Sequence, residues 1–149
     1  MKDKEFKDFD HIINSEHIIT TRGKKIKGGY SPDVSISNKK DNIIYILESE
    51  RKSDRKAFLG TLIKAVYFCE QNNHTSTLIV IMKETGNQTT VKQISLHLKD
   101  YYTWIQNLGA SKLKEVLIMS DDAYKASNEA KEEIGSTKFL SRCIALSHL

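Results

Sequence analysis

The chain has 149 residues, of which 39% are hydrophobic and 28% are charged, and its formal net charge is +4. This length suits one domain with a buried core, so we expect residues 1–149 to form a single domain. No apolar run approaches the length needed to cross a bilayer, and the N-terminus alternates charged and aromatic residues, unlike a signal peptide. Cys69 and Cys143 lack the spacing of metal ligands, so we expect reduced thiols in a cytoplasmic protein with no membrane partner.

The first predicted element is an amphipathic helix over residues 2–14. Its apolar residues, which recur at steps of three and four, are Phe6, Phe9, Ile12 and Ile13. The stretch that follows, up to about Gly29, carries cations and glycines, and we expect it to be loop or irregular structure.

A hairpin is predicted next. Residues 33–37 alternate polar and apolar side chains, and this period of two is suited to a strand. Residues 38–42 are polar and turn-prone. Residues 43–47 form a continuous apolar run, which is typical of a strand covered on both faces.

The remaining elements alternate between helices and strands. A helix capped by Ser53 or Asp54 runs to about Gln71. The later predicted elements are a strand over 77–82, a helix over 90–107, a strand over 115–119 and a helix from 121 to 135. The tail over 139–146 is compatible with either strand or helix. The order α-β-β-α-β-α-β-α predicts an α/β fold with a mixed β-sheet between helices.

Three carboxylates stand out in the segment SPDVSISNKKDNIIYILESERK, residues 31–52. Asp33 follows the only proline of the chain, Pro32, and Glu48 and Glu50 follow its most apolar strand. Period-two alternation turns both glutamates to one side of the sheet, so neighbouring strands bring three acids together. Like charges destabilise one another unless a cation offsets them, and an oxygen-rich site of this kind suits Mg²⁺.

These residues resemble the signature of the PD-(D/E)XK nuclease superfamily. That signature is Pro-Asp, a variable spacer, and then (Asp/Glu)-X-Lys at the end of an apolar strand; Pro32-Asp33 and Glu48 match it. The resemblance covers roughly residues 1–83, including the order of the flanking elements. It implies a restriction-endonuclease-like fold and Mg²⁺-dependent hydrolysis of DNA phosphodiester bonds.

The sequence departs from the signature at one position, because Glu50 stands where the superfamily usually has lysine. A second register, Glu50-Arg51-Lys52, matches the triplet literally. We prefer the first register, since the middle residue should face packed helices, where Ser49 fits and Arg51 would bury a guanidinium. Lys52 would still reach the attacking water or a phosphate if the strand continues that far.

The resemblance also implies roles for these residues. Asp33 and Glu48 would ligate Mg²⁺, for which Mn²⁺ can substitute, together with the backbone carbonyl of Ser49. Glu50 would hold the attacking water or a second metal ion and accept a proton. Some relatives add a carboxylate from the first helix, for which the candidates here are Glu16, Glu5 and Asp10.

Candidate DNA contacts are cations on both sides of the hairpin. Arg22, Lys24, Lys25 and Lys27 cluster without an intervening acid, and Arg55 and Lys56 follow the acids. Lys and Arg attract DNA phosphates irrespective of sequence, although such clusters often form only a solvated surface. For Lys64, on the same predicted helix, a solvated surface stripe is the preferred interpretation.

Three hypotheses follow. The leading one is a Mg²⁺-dependent DNA endonuclease, as a type II restriction endonuclease or its small catalytic subunit. It would act as a homodimer or with a larger specificity subunit, because so short a chain leaves little room for a recognition domain. The alternative is a cleavage-deficient DNA-binding or assembly subunit with the same fold. In the third, an unrelated α/β protein, the acids are incidental and Asp33 lies far from Glu48.

Overall fold

The computed structural model describes residues 1–149 and has an α/β fold with a six-stranded mixed sheet and five α-helices. The strands are β1 (His17–Thr21), β2 (Val34–Asn38), β3 (Ile43–Glu50), β4 (Ser76–Met82), β5 (Leu113–Ser120) and β6 (Ile144–Ala145). The helices are α1 (Asp3–Asp8), α2 (Arg55–Asn72), α3 (Val91–Asn107), α4 (Asp121–Glu129) and α5 (Thr137–Leu140). No helix is both long and apolar enough to cross a membrane.

The strands lie in the sheet in the same order as in the chain. The first three form an antiparallel meander, β3, β4 and β5 are parallel, and β6 returns antiparallel to β5. Because parallel neighbours need a crossover, α2 connects β3 to β4 and α3 connects β4 to β5. The expected α/β class and mixed sheet are therefore confirmed.

Alternation along the strands separates two cores, one on each face of the sheet. On the α2 side, strand residues pack with α2 and α3; these include Ile46, Leu78, Val80, Met82, Phe58, Leu62 and Leu98. On the α4 side, strand residues pack with α1, α4 and α5; these include Leu47, Ile79, Ile81, Phe6, Tyr124 and Phe139. From Ile46 onwards, even-numbered side chains of β3 consequently lie on the α2 side.

The predicted N-terminal helix over 2–14 is too long, and the pattern did not indicate the first strand. The chain leaves α1 at Phe9, whose ψ is 149°. Side chains occupy the carbonyls that a longer helix would use: the His11 ring donates to the Phe6 carbonyl at 2.8 Å, and the Arg22 guanidinium donates to those of Lys7 and Phe9 at 2.7 and 2.8 Å. The freed segment reaches the sheet edge and pairs as β1 with β2.

The C-terminal part also differs from its prediction. Helix α4 ends at Glu129, before Gly135, because the chain turns at Lys131 (φ 58°) and the amide of Ile134 donates to the carbonyl of Ile12 at 2.9 Å. This turn buries Ile134 in the core on the α4 side. The undecided tail contains both element types, α5 and then β6.

Candidate active site

The acidic site consists of Asp33, Glu48 and Glu50. Asp33 immediately precedes β2, and the register Val34–Leu47 places it beside Glu48 on the neighbouring strand. In the other direction, Glu48 and Glu50 lie opposite Val80 and Met82, which belong to the core on the α2 side. Both glutamates therefore lie on the α2 side of the sheet, where the sequence pattern predicts them.

Asp33 is fixed to the backbone of β3. Its Oδ2 accepts a hydrogen bond from the amide of Ser49 at 2.8 Å, and its Oδ1 lies 3.8 Å from Nζ of Lys7. Burial raises the pKa of Asp33, and the charges of Asp3 and Glu50 raise it further. The Ser49 amide and Lys7 oppose these effects, so Asp33 already depends on a backbone donor and an ammonium for its charge.

Glu48 is the most strongly perturbed acid of the site. Its Oε1 accepts a hydrogen bond from the Tyr30 hydroxyl at 2.8 Å. Burial is the largest cause that raises the pKa of Glu48 to about 8, and the charge of Asp33 adds to it. The Tyr30 hydroxyl, the Asp33 amide and the Lys64 charge oppose the shift. Without a bound cation, Glu48 therefore holds its proton at neutral pH.

The position at which β3 ends favours the register Glu48-Ser49-Glu50 over Glu50-Arg51-Lys52. The strand ends at Glu50, whose Oε1 accepts a hydrogen bond from the backbone amide of Lys52 at 3.0 Å. Residues 51–54 are exposed and outside regular structure, so the continuation that would bring the Lys52 side chain to the acids does not occur. The expected burial of Arg51 in the second register is wrong, since Arg51 is exposed beyond the strand. Glu48, Ser49 and Glu50 all pair with β4, whereas Lys52 does not.

Sequence reasoning missed three side chains around the acids, Asp3, Lys7 and Tyr30, and assigned a fourth, Lys64, to a solvated surface stripe. Lys7 and Asp3 come from α1, and Tyr30 and Lys64 act on Glu48 from the segment before β2 and from α2. Tyr30 could have been suspected, because it lies three residues before Asp33. No local pattern marks Lys7, whose position depends on how α1 packs against the sheet.

The expected outer carboxylate does not come from Glu16. Glu16 pairs with Lys39 at 3.2 Å, and both side chains are exposed. His17 pairs with Asn38 at that end of β1, so Glu16 lies at the end of β2 opposite Asp33. Of the other candidates, Glu5 accepts a hydrogen bond from the Lys2 amide in the first turn of α1. Asp3 is the N-terminal acid that acts on Asp33.

A cleft of about 680 Å³ begins at Glu48 and extends along α2. The loop at its other wall contains the 3₁₀ turn Lys27–Gly29 and Tyr30. Its lining residues are Lys27, Gly28, Gly29, Tyr30, Ser31, Glu48, Thr61, Lys64, Tyr67, Phe68, Gln71 and Asn72. The cleft therefore joins the acidic site to two cations, Lys27 and Lys64.

The predicted DNA-binding cations lie in different surroundings. Lys27 lines the cleft, and Lys24 and Lys25 are exposed on the same loop. Arg22 is exposed, but its guanidinium is bound to carbonyls of the α1 segment. Arg55 borders a polar hollow with Asn87, Gln88 and Gln93, and Lys56 is exposed in the first turn of α2.

The donor chemistry of the acidic site suits a hard cation. No three His, Cys, Asp or Glu side chains are grouped as metal ligands. One oxygen of Asp33 faces Lys7, and one oxygen of Glu48 faces the Tyr30 hydroxyl. Burial raises the pKa of both acids, so the ionised carboxylates would be compensated only in part by Lys7, Lys64 and their hydrogen-bond donors. An oxygen-preferring cation would supply that compensation.

Comparison with known proteins identified no relative of this chain. No family model, no curated protein and no solved structure matches the chain. The resemblance to PD-(D/E)XK nucleases therefore rests on the short motif and on the order of the elements around it.

Proposed function

We propose that this protein is a Mg²⁺-dependent DNA endonuclease with a restriction-endonuclease-like core. The observation that carries the proposal is the position of Asp33 and Glu48, two acids of raised pKa that lie beside each other on neighbouring strands. Glu50 lies on the same side of the sheet. The antiparallel β2–β3 hairpin followed by α2 and the parallel strand β4 agrees with the order of elements that the resemblance implies. Perturbed acids beside a cleft favour a functional site over a solvated strand end.

Asp33 and Glu48, with the carbonyl of Ser49, are the groups that would hold Mg²⁺. When bound, Mg²⁺ lowers the pKa of a coordinated water and stabilises charge on the phosphate. Glu50, at the end of β3, would orient the attacking water and accept its proton. Lys64 would offset charge on the phosphate, since it already acts on Glu48 from across the cleft.

Cation binding should be coupled to proton release at this site. Glu48 holds a proton at neutral pH because its pKa is about 8, and a carboxylate must lose that proton to bind a cation. Activity should therefore rise with pH towards about 8. Lys7 lies 3.8 Å from Asp33, so a cation held by Asp33 would compete with this ammonium, which would then be available to a DNA phosphate.

The test is incubation of purified protein with plasmid and oligonucleotide DNA in Mg²⁺, Mn²⁺ or EDTA. We expect cleavage in either metal and none in EDTA, with at least about a hundredfold loss in Glu48→Gln and in Asp33→Asn. Lys52→Ala should be milder, because β3 ends before it. A fully active Glu48→Gln protein beside an inactive Lys52→Ala protein would show that Glu50-Arg51-Lys52 is the functional triplet.

A cleavage-deficient DNA-binding subunit is the second candidate. It is favoured by the Lys7 ammonium, which already neutralises Asp33, and by Glu50 at the position where lysine is usual. On this alternative, DNA binds without cleavage in any metal, and Ca²⁺ does not raise the melting temperature. The nuclease proposal requires that Ca²⁺ raise it and that Asp33→Asn abolish the increase.

A further inference from the structure

We propose that the cleft beside Glu48 accepts one unpaired nucleobase of the DNA strand held at the acidic site. The proposal rests on the proposed nuclease function, because that function places the DNA backbone at Asp33 and Glu48. It goes further in naming the substrate as DNA with a base out of the duplex stack next to the bound phosphate.

The position of the cleft supports this assignment. Glu48 belongs both to the acidic site and to the cleft wall, so the two share a boundary. A nucleotide whose phosphate contacts the acidic site has its base attached within a few bonds, and the cleft is the recess that lies there. A volume of about 680 Å³ lies within the range of sites that enclose small organic groups.

The lining has the chemistry that an unpaired base requires. Tyr67 is 65% exposed on α2, so its ring offers a stacking surface. Gln71, one turn further along, carries an amide that can donate to and accept from a base edge, while the Asn72 amide nitrogen donates to the Phe68 carbonyl at 3.0 Å. Lys27 and Lys64 supply positive charge for the flanking phosphates.

The loop that contains Lys27–Gly29 and Tyr30 forms the wall of the cleft opposite α2 and lies close to this helix. Gly28 has a φ of 73°, and a Cβ at this position would lie 3.4 Å from the amide nitrogen of Asn72. The ring of Tyr30 packs against that of Phe68, with centroids 5.7 Å apart, beneath the cleft. The loop and α2 therefore meet at Gly28 and Asn72, which closes this end of the recess, and the space for a base lies along α2 towards Tyr67 and Glu48.

A base of a fully paired duplex would have to leave the base stack to occupy this recess. Extrusion of a paired base costs a few kcal/mol, and this cost is smallest for a base that is already unpaired. We therefore expect tighter binding to DNA with a single unpaired base than to the fully paired duplex of the same sequence.

The experiment measures the affinity of both DNAs by fluorescence anisotropy in Ca²⁺, for wild type, Tyr67→Ala, Tyr67→Phe and Ile63→Ala. Loss of the stacking ring should weaken binding of the unpaired-base DNA by about 5- to 150-fold, and phenylalanine should restore it. Ile63 is the matched control, since it is exposed on α2 but does not line the cleft. Thermal melts verify that each variant folds.

The outcomes separate this proposal from the nuclease proposal. A Tyr67-dependent preference for the unpaired base supports the base pocket, even if Mg²⁺ cleavage is absent and the nuclease proposal falls. Equal affinity of the wild type for both DNAs overturns the pocket, even if cleavage is observed. An equal loss in Ile63→Ala also overturns it, because the effect would then belong to the helix surface and not to the cleft.

Discussion

Glu48→Gln should remove a pH dependence of stability that the wild-type protein owes to this one acid. In the folded protein the pKa of Glu48 is raised from 4.5 to about 8, mainly by burial. A raised acid pKa means that the folded state binds the proton more tightly than the unfolded state. The contribution of protonated Glu48 to the free energy of unfolding is therefore fully present below about pH 4.5 and is lost as the pH rises through about 8.

The magnitude follows from the size of the shift. Each pKa unit corresponds to about 1.4 kcal/mol, so the full effect of the shift from 4.5 to about 8 is of the order of 5 kcal/mol. Between about pH 6 and pH 9, the contribution of Glu48 to the free energy of unfolding should fall by about 2 to 3 kcal/mol. Glutamine is neutral and nearly isosteric, so it keeps the Tyr30 contact without the ionisation.

Urea unfolding at the two pH values measures the effect as a difference between wild type and variant. The free energy of unfolding of Glu48→Gln minus that of the wild type should be about 2 to 3 kcal/mol larger at pH 9 than at pH 6. Glu16→Gln is the control, because it removes an exposed acid at the other end of β2. If the difference between wild type and Glu48→Gln is the same at both pH values, the burial argument for Glu48 is refuted.

Three other perturbations test the surroundings of the acidic site. Lys7→Ala removes the competing ammonium and should tighten Ca²⁺ binding about fivefold by calorimetry; weaker binding would contradict its role as a counter-ion. Replacing Lys24, Lys25 and Lys27 together with alanine should lower the salt-dependence slope of DNA binding by about one unit for each phosphate that these lysines neutralise. An unchanged slope would remove this loop from the interface. His11→Ala should destabilise the fold by about 2 to 4 kcal/mol in urea, because it opens a cavity and orphans a buried hydroxyl; an unchanged midpoint would refute this.

The hairpin and the acids were predictable because their signals are local. Apolar residues 43–47 specify a strand covered on both faces, and alternation then fixes the side to which Glu48 and Glu50 point. Helix α2 begins as its capping signal predicts, since Asp54 accepts from the amide of Lys56 at 2.9 Å. Each inference needed only neighbouring residues and the period of one element.

The N-terminal region was mispredicted because its determinants are distant in sequence. Phe6 and Phe9 give helical spacing, but the helix ends where Arg22 and His11 bind its carbonyls. The neutral His11 ring also accepts from the Tyr124 hydroxyl of α4, and burial lowers the pKa of His11 to about 4. A periodic pattern contains no information about such partners, so the helix length and β1 could not be read from it.

The same distant contacts decide how the acidic site is charged. Arg22 fixes α1 beside the sheet, and the side chain of Lys7 then passes over Gly23, where a Cβ would lie only 2.9 Å from its Cδ. This path ends 3.8 Å from Asp33, which Lys7 neutralises. On the proposed function, Asp33 and Glu48 would hold a cation that offsets the charge of Asp33 in place of Lys7, and the ammonium would then be available to a phosphate. The short first helix is therefore a part of the acidic site, because it carries the positive charge that lies beside Asp33.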